Sequence, residues 1–271
     1  MSHTQSGYIR AGGARLEFTW TGPGPDSAPT LVFLHEGLGC VSTWRDFPER
    51  VASRTGFGAL VYSRQGYGKS DPVTLPRATD FMNYEACTVL PELLREAGVR
   101  RYVLVGHSDG ASIALIFAAA GVPAIEGLKG LCLEAPHAFV EDVTVQSIAA
   151  IGDAFRNGGL RKRLRRHHGS NVDGAFLGWN QVWLDPLFRD WNIVDLLKDI
   201  TVPIHIVQGR DDEYGTLAQV AAIKRGVAGP CDSTVLDGCG HSPHRDQAET
   251  VLEVIAQFVE TYSDGLVGES L

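Results

Sequence analysis

The stretch that decides the fold is residues 102–110, YVLVGHSDG, with the small-residue segment 111–120 directly after it. The apolar run at 102–105 is typical of a strand buried on both faces, and the run after Gly110 has helical character. Glycines stand two residues either side of Ser108, where a sharp turn between strand and helix needs room for its neighbours. Such a turn strains the serine and presents its hydroxyl at the N-terminus of a helix, which favours developing negative charge. We therefore predict Ser108 to be an activated nucleophile.

Four further short apolar runs flank this segment along the chain. They are typical of central strands in a parallel sheet, and they lie at residues 30–34 (TLVFL), 59–62 (ALVY), 128–133 (LKGLCL) and 204–207 (IHIV). Segments with helical spacing separate or follow them, at residues 44–54 (with Ser42 as a possible cap), 81–97 and 251–262. Strands that alternate with helices predict an α/β class, with a mostly parallel central sheet and helices on both faces.

The two ends of the alternation differ from its middle. Residues 7–11 and 15–21 alternate apolar and polar side chains around Gly12 and Gly13, which predicts an antiparallel hairpin. Residues 137–197 contain helical patterns only, and we predict a helical cap inserted after the sixth strand. The core is then formed by residues 1–136 and 198–271. The cap is rich in aromatic residues, so it is expected to cover the carboxyl ends of the strands, where open α/β sheets bind ligands. A second helical layer that only stabilises the fold is the alternative.

A nucleophilic serine needs a general base, and the base needs an acid that orients it. We predict that His241 is the base, because it follows Gly240 in the loop after the last strand; His244 is its competitor. We predict that Asp212 is the acid, since it lies three residues after the glycine that ends the run at 204–207. Asp211, Glu213 and Glu134 remain alternatives for the acid.

The negatively charged oxygen of a tetrahedral intermediate needs two preorganised N–H donors. The backbone amide of Asp109, directly after the nucleophile, is the first candidate. The second is expected in the loop after residues 30–34, His35-Glu36-Gly37-Leu38-Gly39. Gly37 is the favoured donor there and Glu36 the alternative.

Five ordered landmarks now stand in the chain: the His35-Glu36-Gly37 loop, residues 63–70 (SRQGYGKS), the turn around Ser108, residues 209–212 and the Gly240-His241 pair. In these, the chain resembles the α/β-hydrolase superfamily over nearly its full length. The resemblance implies the α/β-hydrolase fold and cleavage of a carboxylic ester or thioester through an acyl-enzyme. An acyltransferase, a hydrolase of carbon–carbon bonds and a non-catalytic receptor of small molecules are alternatives on the same fold. Carbon–carbon hydrolases typically carry Asn where this chain has His107.

Two carboxylates depart from the family pattern. Glu36 stands where the family usually has glycine after the histidine of the oxyanion loop. A carboxylate there opposes negative charge unless it is bonded elsewhere, so we expect a structural tether ahead of a contact with a polar substrate. Asp109 stands where many relatives carry an apolar residue or Gln, and near a helix N-terminus its side chain is expected to act as a cap.

The predicted cap offers two groups of substrate-binding candidates. Residues 156–168 are strongly basic, and helical spacing puts Arg161, Arg165 and His168 on one face. This face predicts recognition of an anionic acyl substrate, with a solvated helix as the alternative. Phe139, Trp179 and Trp183 are expected to line an apolar pocket, although packing against the core explains them almost as well.

Composition limits the remaining possibilities. The chain has 271 residues and a net charge of −8, which argues against a nucleic-acid partner. No apolar stretch is long enough to span a bilayer and no secretory signal is visible. The five cysteines are scattered, so free thiols in a cytoplasmic protein are expected, with Cys239 as a conceivable reactive thiol. The sequence has no metal-ligand cluster or nucleotide loop, so we predict no metal and no cofactor; an oligomer stays possible.

Overall fold

A computed structural model describes residues 4–262. The eight strands form one sheet in the order β1-β2-β4-β3-β5-β6-β7-β8. The strands are β1 Thr4–Ala11, β2 Ala14–Thr21, β3 Thr30–Leu34, β4 Gly58–Tyr62, β5 Tyr102–His107, β6 Leu128–Glu134, β7 Ile204–Gly209 and β8 Cys231–Leu236. The pairs β1–β2 and β2–β4 are antiparallel, and the strands from β4 to β8 pair in parallel. The predicted fold class is confirmed; residues 1–3 and 263–271, assigned above to the core, lie outside the described residues.

The helices cover the two faces of the sheet and the edge where the parallel strands end. They are α1 Phe47–Thr55, α2 Phe81–Tyr84, α3 Leu90–Glu96, α4 Asp109–Ala119, α5 Asp142–Asn157, α6 Leu160–His168, α7 Val172–Trp183, α8 Leu217–Gly226, α9 Pro243–Asp246 and α10 Ala248–Tyr262. Buried side chains form a large cluster on one face, under α2, α3, α4 and α8, and a smaller one on the other, under α1 and α10. The central strands are buried along both faces, as continuous apolar runs predict.

Two predicted helices differ from those observed. The helix expected from residue 44 begins at Phe47, because Arg45 takes a positive φ of 54° that no α-helix accepts. Trp44 instead ends a short 3₁₀ turn, Val41–Trp44, so Ser42 lies inside that turn and Asp46 is the N-cap residue of α1. The helix predicted at 81–97 contains a π-turn, Glu85–Val89, between α2 and α3. This irregularity fits the sequence, because Pro91 has no amide hydrogen to donate to the preceding turn.

The segment between β6 and β7 contains α5, α6 and α7. A β-bridge pairs Phe139 with Asn192 and closes the two ends of this segment against each other. His168, at the end of α6, fixes the segment to the loops of the sheet: its Nδ1 accepts from the Gly68 amide at 3.0 Å and its Nε2 donates to the Leu38 carbonyl at 3.0 Å. The helices therefore lie over the edge at which β3 and β4 end.

Candidate active site

The turn that carries Ser108 joins β5 directly to α4. Ser108 has φ 53° and ψ −118°, a strained conformation for a residue with a side chain. A Cβ on Gly106 would lie 2.7 Å from the Cα of Ala111, and one on Gly110 would overlap the carbonyl of Leu34. Both glycines are thus required by close approach of the helix and of β3. The Ser108 amide donates to the Glu134 carbonyl at 2.9 Å, which fixes the turn to β6.

The parallel sheet brings Ser108, His241 and Asp212 to the same edge, because each follows the carboxyl end of its strand. The Oγ of Ser108 lies 2.9 Å from Nε2 of His241, and Nδ1 of His241 lies 2.9 Å from both carboxylate oxygens of Asp212. The Asp212 carboxylate accepts a hydrogen bond from the Nδ1–H of His241. The unprotonated Nε2 is therefore free to accept a hydrogen bond from the Ser108 hydroxyl. The catalytic roles of these residues stay a prediction.

The Asp212 carboxylate is almost fully buried and is held by several donors. The amides of Tyr214 and Gly215 donate to its Oδ1 at 2.7 and 3.2 Å, and the Gln208 side chain donates to Oδ2 at 2.7 Å. Burial raises the pKa of Asp212, but the hydrogen bonds from His241 and these donors outweigh burial, so its pKa lies below the ordinary value. This carboxylate is therefore ionised at neutral pH.

The competing candidates have other partners. His244 and Glu134 are buried and bonded to each other, with Nδ1 2.9 Å from Oε2, and the His244 ring packs on Trp44. Cys239 is buried, and burial raises the pKa of its thiol to about 11, so it is protonated at neutral pH. Neither His244 nor Cys239 is placed to act on a group bound at Ser108.

The orientation of two peptide planes determines the direction in which the predicted oxyanion donors, the amides of Asp109 and Gly37, point. In a trans peptide the C=O and the following N–H point in opposite directions. The Ser108 carbonyl accepts from the amides of Ala111 and Ser112, inside α4, so the Asp109 N–H points away from that helix. The Glu36 carbonyl accepts from Arg64 Nη2 at 3.0 Å, so the Gly37 N–H points away from Arg64. Gly37 and Asp109 both border the cavity that contains Ser108.

Arg64, which follows β4, holds the oxyanion loop from behind. Its guanidinium donates to the His35 carbonyl at 2.5 Å as well as to Glu36, and its backbone amide donates to His35 Nε2 at 3.1 Å. The His35 ring donates from Nδ1 to the Glu36 carbonyl at 2.7 Å. Arg64 is 1% exposed, and the carboxyl groups of Asp109 and Glu85 lie near its guanidinium. The sequence prediction missed this residue, although it lies in the quoted 63–70 landmark.

Glu36 bonds to neighbouring protein groups. Its Oε1 accepts from Arg245 at 3.3 Å, and its Oε2 lies 3.6 Å from Nδ1 of His107. His107 in turn donates from Nε2 to the His241 carbonyl at 2.6 Å. Burial raises the pKa of Glu36, but His107 and Arg245 outweigh it and the pKa lies well below the ordinary value. These contacts link the oxyanion loop to the loop of His241, as the predicted tether requires, while the carboxylate also borders the cavity.

The Asp109 side chain does not cap α4. Its Oδ1 accepts from Trp183 Nε1 at 3.1 Å, whereas no side chain caps the helix and Ser108 is the N-cap residue. The reason is that the strained Ser108 turn makes Asp109 the first helical residue, where its carboxylate projects toward α7. Burial raises the pKa of Asp109 even though Arg64 opposes this, so its carboxyl has a weakened tendency to carry charge beside the oxyanion position.

A cavity of about 360 Å³ lies between the sheet edge and the cap. Its apolar wall comes from Leu38, Ile148, Leu160, Leu164, Trp179 and Trp183, and Ser108 and His241 border the same space. Trp179 and Trp183 therefore lie where the sequence predicted. Phe139 is not among the lining residues; it pairs with Asn192 at the base of the cap instead.

The prediction that Arg161, Arg165 and His168 form the substrate-facing side of α6 was wrong. Arg161 forms an ion pair with Asp173, 2.6 Å away, and Arg165 borders a separate surface groove. His168 is buried against the sheet loops, as described above. The face of α6 that borders the cavity is Leu160, Arg163, Leu164 and His167, spaced i, i+3, i+4 and i+7. α6 turns this face, rather than the predicted one, toward the cavity because the side chains of His168, Leu160 and Leu164 must all be covered.

His137 is a further lining residue that the sequence reasoning did not single out. Its ring lies 5.8 Å from that of His241 and 5.3 Å from that of Trp183. Burial, with the charge of His241, lowers the pKa of His137 to about 3, so the ring is neutral. Its Nδ1 is buried without a hydrogen-bond partner among residues 4–262. The only sequence signal was its place three residues after Glu134, at the end of a predicted strand.

Comparisons with known proteins agree with this architecture. A model of the Alpha/beta hydrolase family matches residues 31–254. The chain is 24% identical to a 2-succinyl-6-hydroxy-2,4-cyclohexadiene-1-carboxylate synthase of Salmonella paratyphi C, in an alignment covering 88% of this chain and 96% of that protein. Its fold is similar to that of a 2-hydroxy-6-oxo-6-phenylhexa-2,4-dienoate hydrolase from Rhodococcus (TM-score 0.73, 15% identity, covering 96% and 100%). It is also similar to that of naproxen esterase from Bacillus subtilis (TM-score 0.72, 16% identity, covering 95% and 92%).

Across residues 4–262, no group of three or more His, Cys, Asp or Glu side chains is arranged to hold a metal ion. Over the same range, none of the helices combines the length and the apolar character needed to cross a membrane.

Proposed function

The chain belongs to the alpha/beta hydrolase family, and from that premise we propose that it is a serine hydrolase cleaving a carboxylic ester or thioester. The observation that carries the proposal is the continuous chain of contacts from Asp212 through His241 to the Ser108 hydroxyl, each 2.9 Å long. This is the geometry in which a base and its orienting acid activate a serine.

In the proposed first half-reaction, Ser108 Oγ attacks the substrate carbonyl carbon while His241 Nε2 takes the hydroxyl proton. Asp212 stabilises the imidazolium that forms. The carbonyl oxygen becomes an oxyanion bonded by the amides of Gly37 and Asp109. The intermediate collapses when the bond to the alcohol or thiol breaks, and His241 returns its proton to that leaving group, which leaves an acyl-enzyme.

In the second half-reaction, water attacks the acyl-enzyme with His241 again as general base. The tetrahedral oxyanion forms in the same place, and collapse releases the carboxylic acid and restores the Ser108 hydroxyl. The charge on Glu36 is offset by Arg245, and burial disfavours charge on Asp109. The two carboxylates beside the oxyanion position thus oppose the negative intermediate less than two free charges would.

The test is hydrolysis of short-chain p-nitrophenyl esters and of the matching acyl thioesters, with the wild type and Ser108→Ala. We expect a burst of p-nitrophenol equal to the enzyme concentration if deacylation is slow, and loss of both burst and turnover in the variant. Ser170→Ala is the matched control, since Ser170 is exposed in the turn Gly169–Asn171 after α6 and borders a separate surface groove. Turnover that persists in Ser108→Ala would contradict the proposal.

Cleavage of a carbon–carbon bond is a second candidate, because two of the similar proteins are named for chemistry other than ester cleavage. Such chemistry can use the same three side chains. A 2-hydroxy-6-oxo-dienoate assayed beside the aryl esters separates the two: a kcat/KM that is higher for the dienoate by a factor of ten or more favours the second candidate. A cytoplasmic location remains a prediction from the cysteines.

A further inference from the structure

We propose that the mouth of the active-site cavity binds an anionic group of the substrate, through the guanidinium groups of Arg45, Arg163 and Arg245 with His167 among them. All four residues border the cavity that contains Ser108. The inference rests on the proposed hydrolase function and names its substrate class: an ester or thioester that carries a carboxylate or phosphate away from the reacting bond.

Three separate elements bring these side chains together. Arg45 lies between the 3₁₀ turn Val41–Trp44 and α1, Arg163 and His167 are one turn apart on the cavity face of α6, and Arg245 lies in α9. The core and the cap both contribute, so the site forms where the cap meets the sheet loops. A ring hydrogen bond supports this arrangement, because His167 Nδ1 lies 2.8 Å from the Ser42 hydroxyl.

Pairing distinguishes Arg45 and Arg163 from the paired arginines of the cap, and position distinguishes them from Arg165 and Arg166, which have no ion pair among residues 4–262 but border a separate surface groove. Arg156 and Arg161 each form an ion pair with a cap carboxylate, Asp153 and Asp173. Arg45 and Arg163 have no carboxylate within ion-pair distance in the described part of the chain. Each is exposed at the cavity mouth and free to bind a ligand.

The surroundings of His167 show that the positive charges act at one place. Burial lowers the pKa of His167, and the charges of Arg245 and Arg45 lower it further, while Glu36 opposes them. The ring is thus neutral at neutral pH and suits a hydrogen bond to a bound anion. The guanidinium groups supply the charge.

Carboxylates also border the cavity, and their pairing decides the balance. Glu36 is already engaged by Arg245, and Asp109 is buried behind Trp183. Glu213, in the loop that carries Asp212, is the exposed lining carboxylate without an ion pair among residues 4–262. The unpaired charge of the wall therefore consists of two guanidinium groups against one carboxylate, in a protein whose net charge is −8. A local positive region in an acidic protein attracts anions to that point.

The backbone of Arg45 gives independent support. It has φ 54° and ψ −129°, a region that residues with side chains avoid, and glycine would fit there without strain. Strain of this kind is typically retained at ligand sites and active sites. An arginine kept at a strained position beside the cavity fits a role for its side chain in binding.

The test compares pairs of substrates that differ in one charge. Mono-p-nitrophenyl glutarate against p-nitrophenyl pentanoate tests a carboxylate on the acyl side; acetyl-phosphopantetheine against acetyl-pantetheine tests a phosphate on the leaving-group side. We expect the charged member of one pair to have at least a tenfold higher kcat/KM at low salt. In Arg45→Gln/Arg163→Gln that ratio should fall close to one, mainly through KM. Lys162→Gln, which removes an exposed charge from the same helix, should keep the ratio.

The outcomes separate this inference from the proposed function. If the neutral esters are turned over by Ser108 and neither charged substrate is preferred, the anion site is wrong and the hydrolase stands. If no ester is turned over, binding of glutarate and of phosphopantetheine to Ser108→Ala by calorimetry still decides. Binding weakened at least tenfold in the double arginine variant supports the site; no binding, or binding that the variant leaves unchanged, overturns it.

Discussion

Replacing Arg64 by methionine tests how the oxyanion loop is held. The guanidinium donates to the carbonyls of His35 and Glu36, and the second of these bonds sets the peptide plane whose N–H belongs to Gly37. Methionine fills a similar volume and donates nothing, so both carbonyls lose a charged donor. We expect the Gly37 amide to lose its fixed direction while the cavity wall keeps its shape.

The magnitude follows from the two kinds of bond. Loss of one oxyanion donor typically lowers kcat by about 10²–10³-fold, and two hydrogen bonds to a charged group are worth about 1.5–3 kcal/mol each in stability. Arg64→Met should therefore lower kcat by up to about two orders of magnitude with little change in KM. It should also lower the free energy of unfolding by about 3–5 kcal/mol. Arg64→Lys keeps the charge without the planar fork, so its kcat and free energy of unfolding should lie between those of the wild type and of Arg64→Met.

Stopped-flow and steady-state kinetics on a p-nitrophenyl ester, with urea unfolding on the same samples, measure both effects. Arg77→Met is the matched control: this buried guanidinium bonds to Tyr67 and Glu85 and has no contact with the oxyanion loop. It should cost stability and spare kcat. A folded Arg64→Met with wild-type kcat, or an equal loss of kcat in Arg77→Met, would refute the reasoning.

Three further predictions concern other parts of the site. A Cβ on Gly37 would overlap Trp179 Nε1, so Gly37→Ala should displace the loop and lower kcat about 10-fold or more in steady-state assays. Asp212→Asn keeps the shape but removes the charge that orients His241, and kcat should fall by about 10⁴, the loss known for the same change in other Ser-His-Asp enzymes. The pKa of His137 is lowered to about 3 from an unfolded value near 6.5. Above about pH 6.5 the ring is neutral in both states, so burying it costs no stability through its charge. As pH falls from about 6.5 toward 3, this group should lower the free energy of unfolding by about 1.4 kcal/mol per pH unit, and His137→Phe should reduce that slope in urea unfolding.

Each of these has a result that would contradict it. Wild-type kcat in Gly37→Ala would show that the loop tolerates a side chain against the indole. A loss of less than tenfold in Asp212→Asn would mean that another group orients His241. An unchanged pH slope in His137→Phe would mean that His137 is charged in the folded protein.

The sheet and its edge were predictable because the information is local. Short apolar runs marked the parallel strands. Two glycines around Ser108 marked a turn so closely packed that it has no room for side chains at those positions. Parallel strands end at one edge of the sheet, so the positions of Asp212 and His241 after their strands already predicted that both side chains approach Ser108. The structure adds the distances between these side chains and the hydrogen-bond donors that stabilise the buried Asp212 carboxylate.

The parts that failed depend on contacts between distant segments. Helical spacing groups Arg161 with Arg165, but it does not say which face of α6 turns toward the cavity; burial of His168 against Leu38 and Gly68 decides that. Arg64 was overlooked for the same reason, since nothing near it in sequence shows that two carbonyls of the oxyanion loop end at its guanidinium. The fate of the Glu36 carboxylate likewise depended on Arg245, 209 residues away.

Labelling of the folded protein with a fluorophosphonate probe, mapped by mass spectrometry, tests most directly whether Ser108 is an activated nucleophile. We expect one modified residue, Ser108, with labelling that Ser108→Ala abolishes and that Asp212→Asn slows strongly. Labelling at another residue, or a Ser108 that stays unmodified in protein shown to be folded, would contradict it.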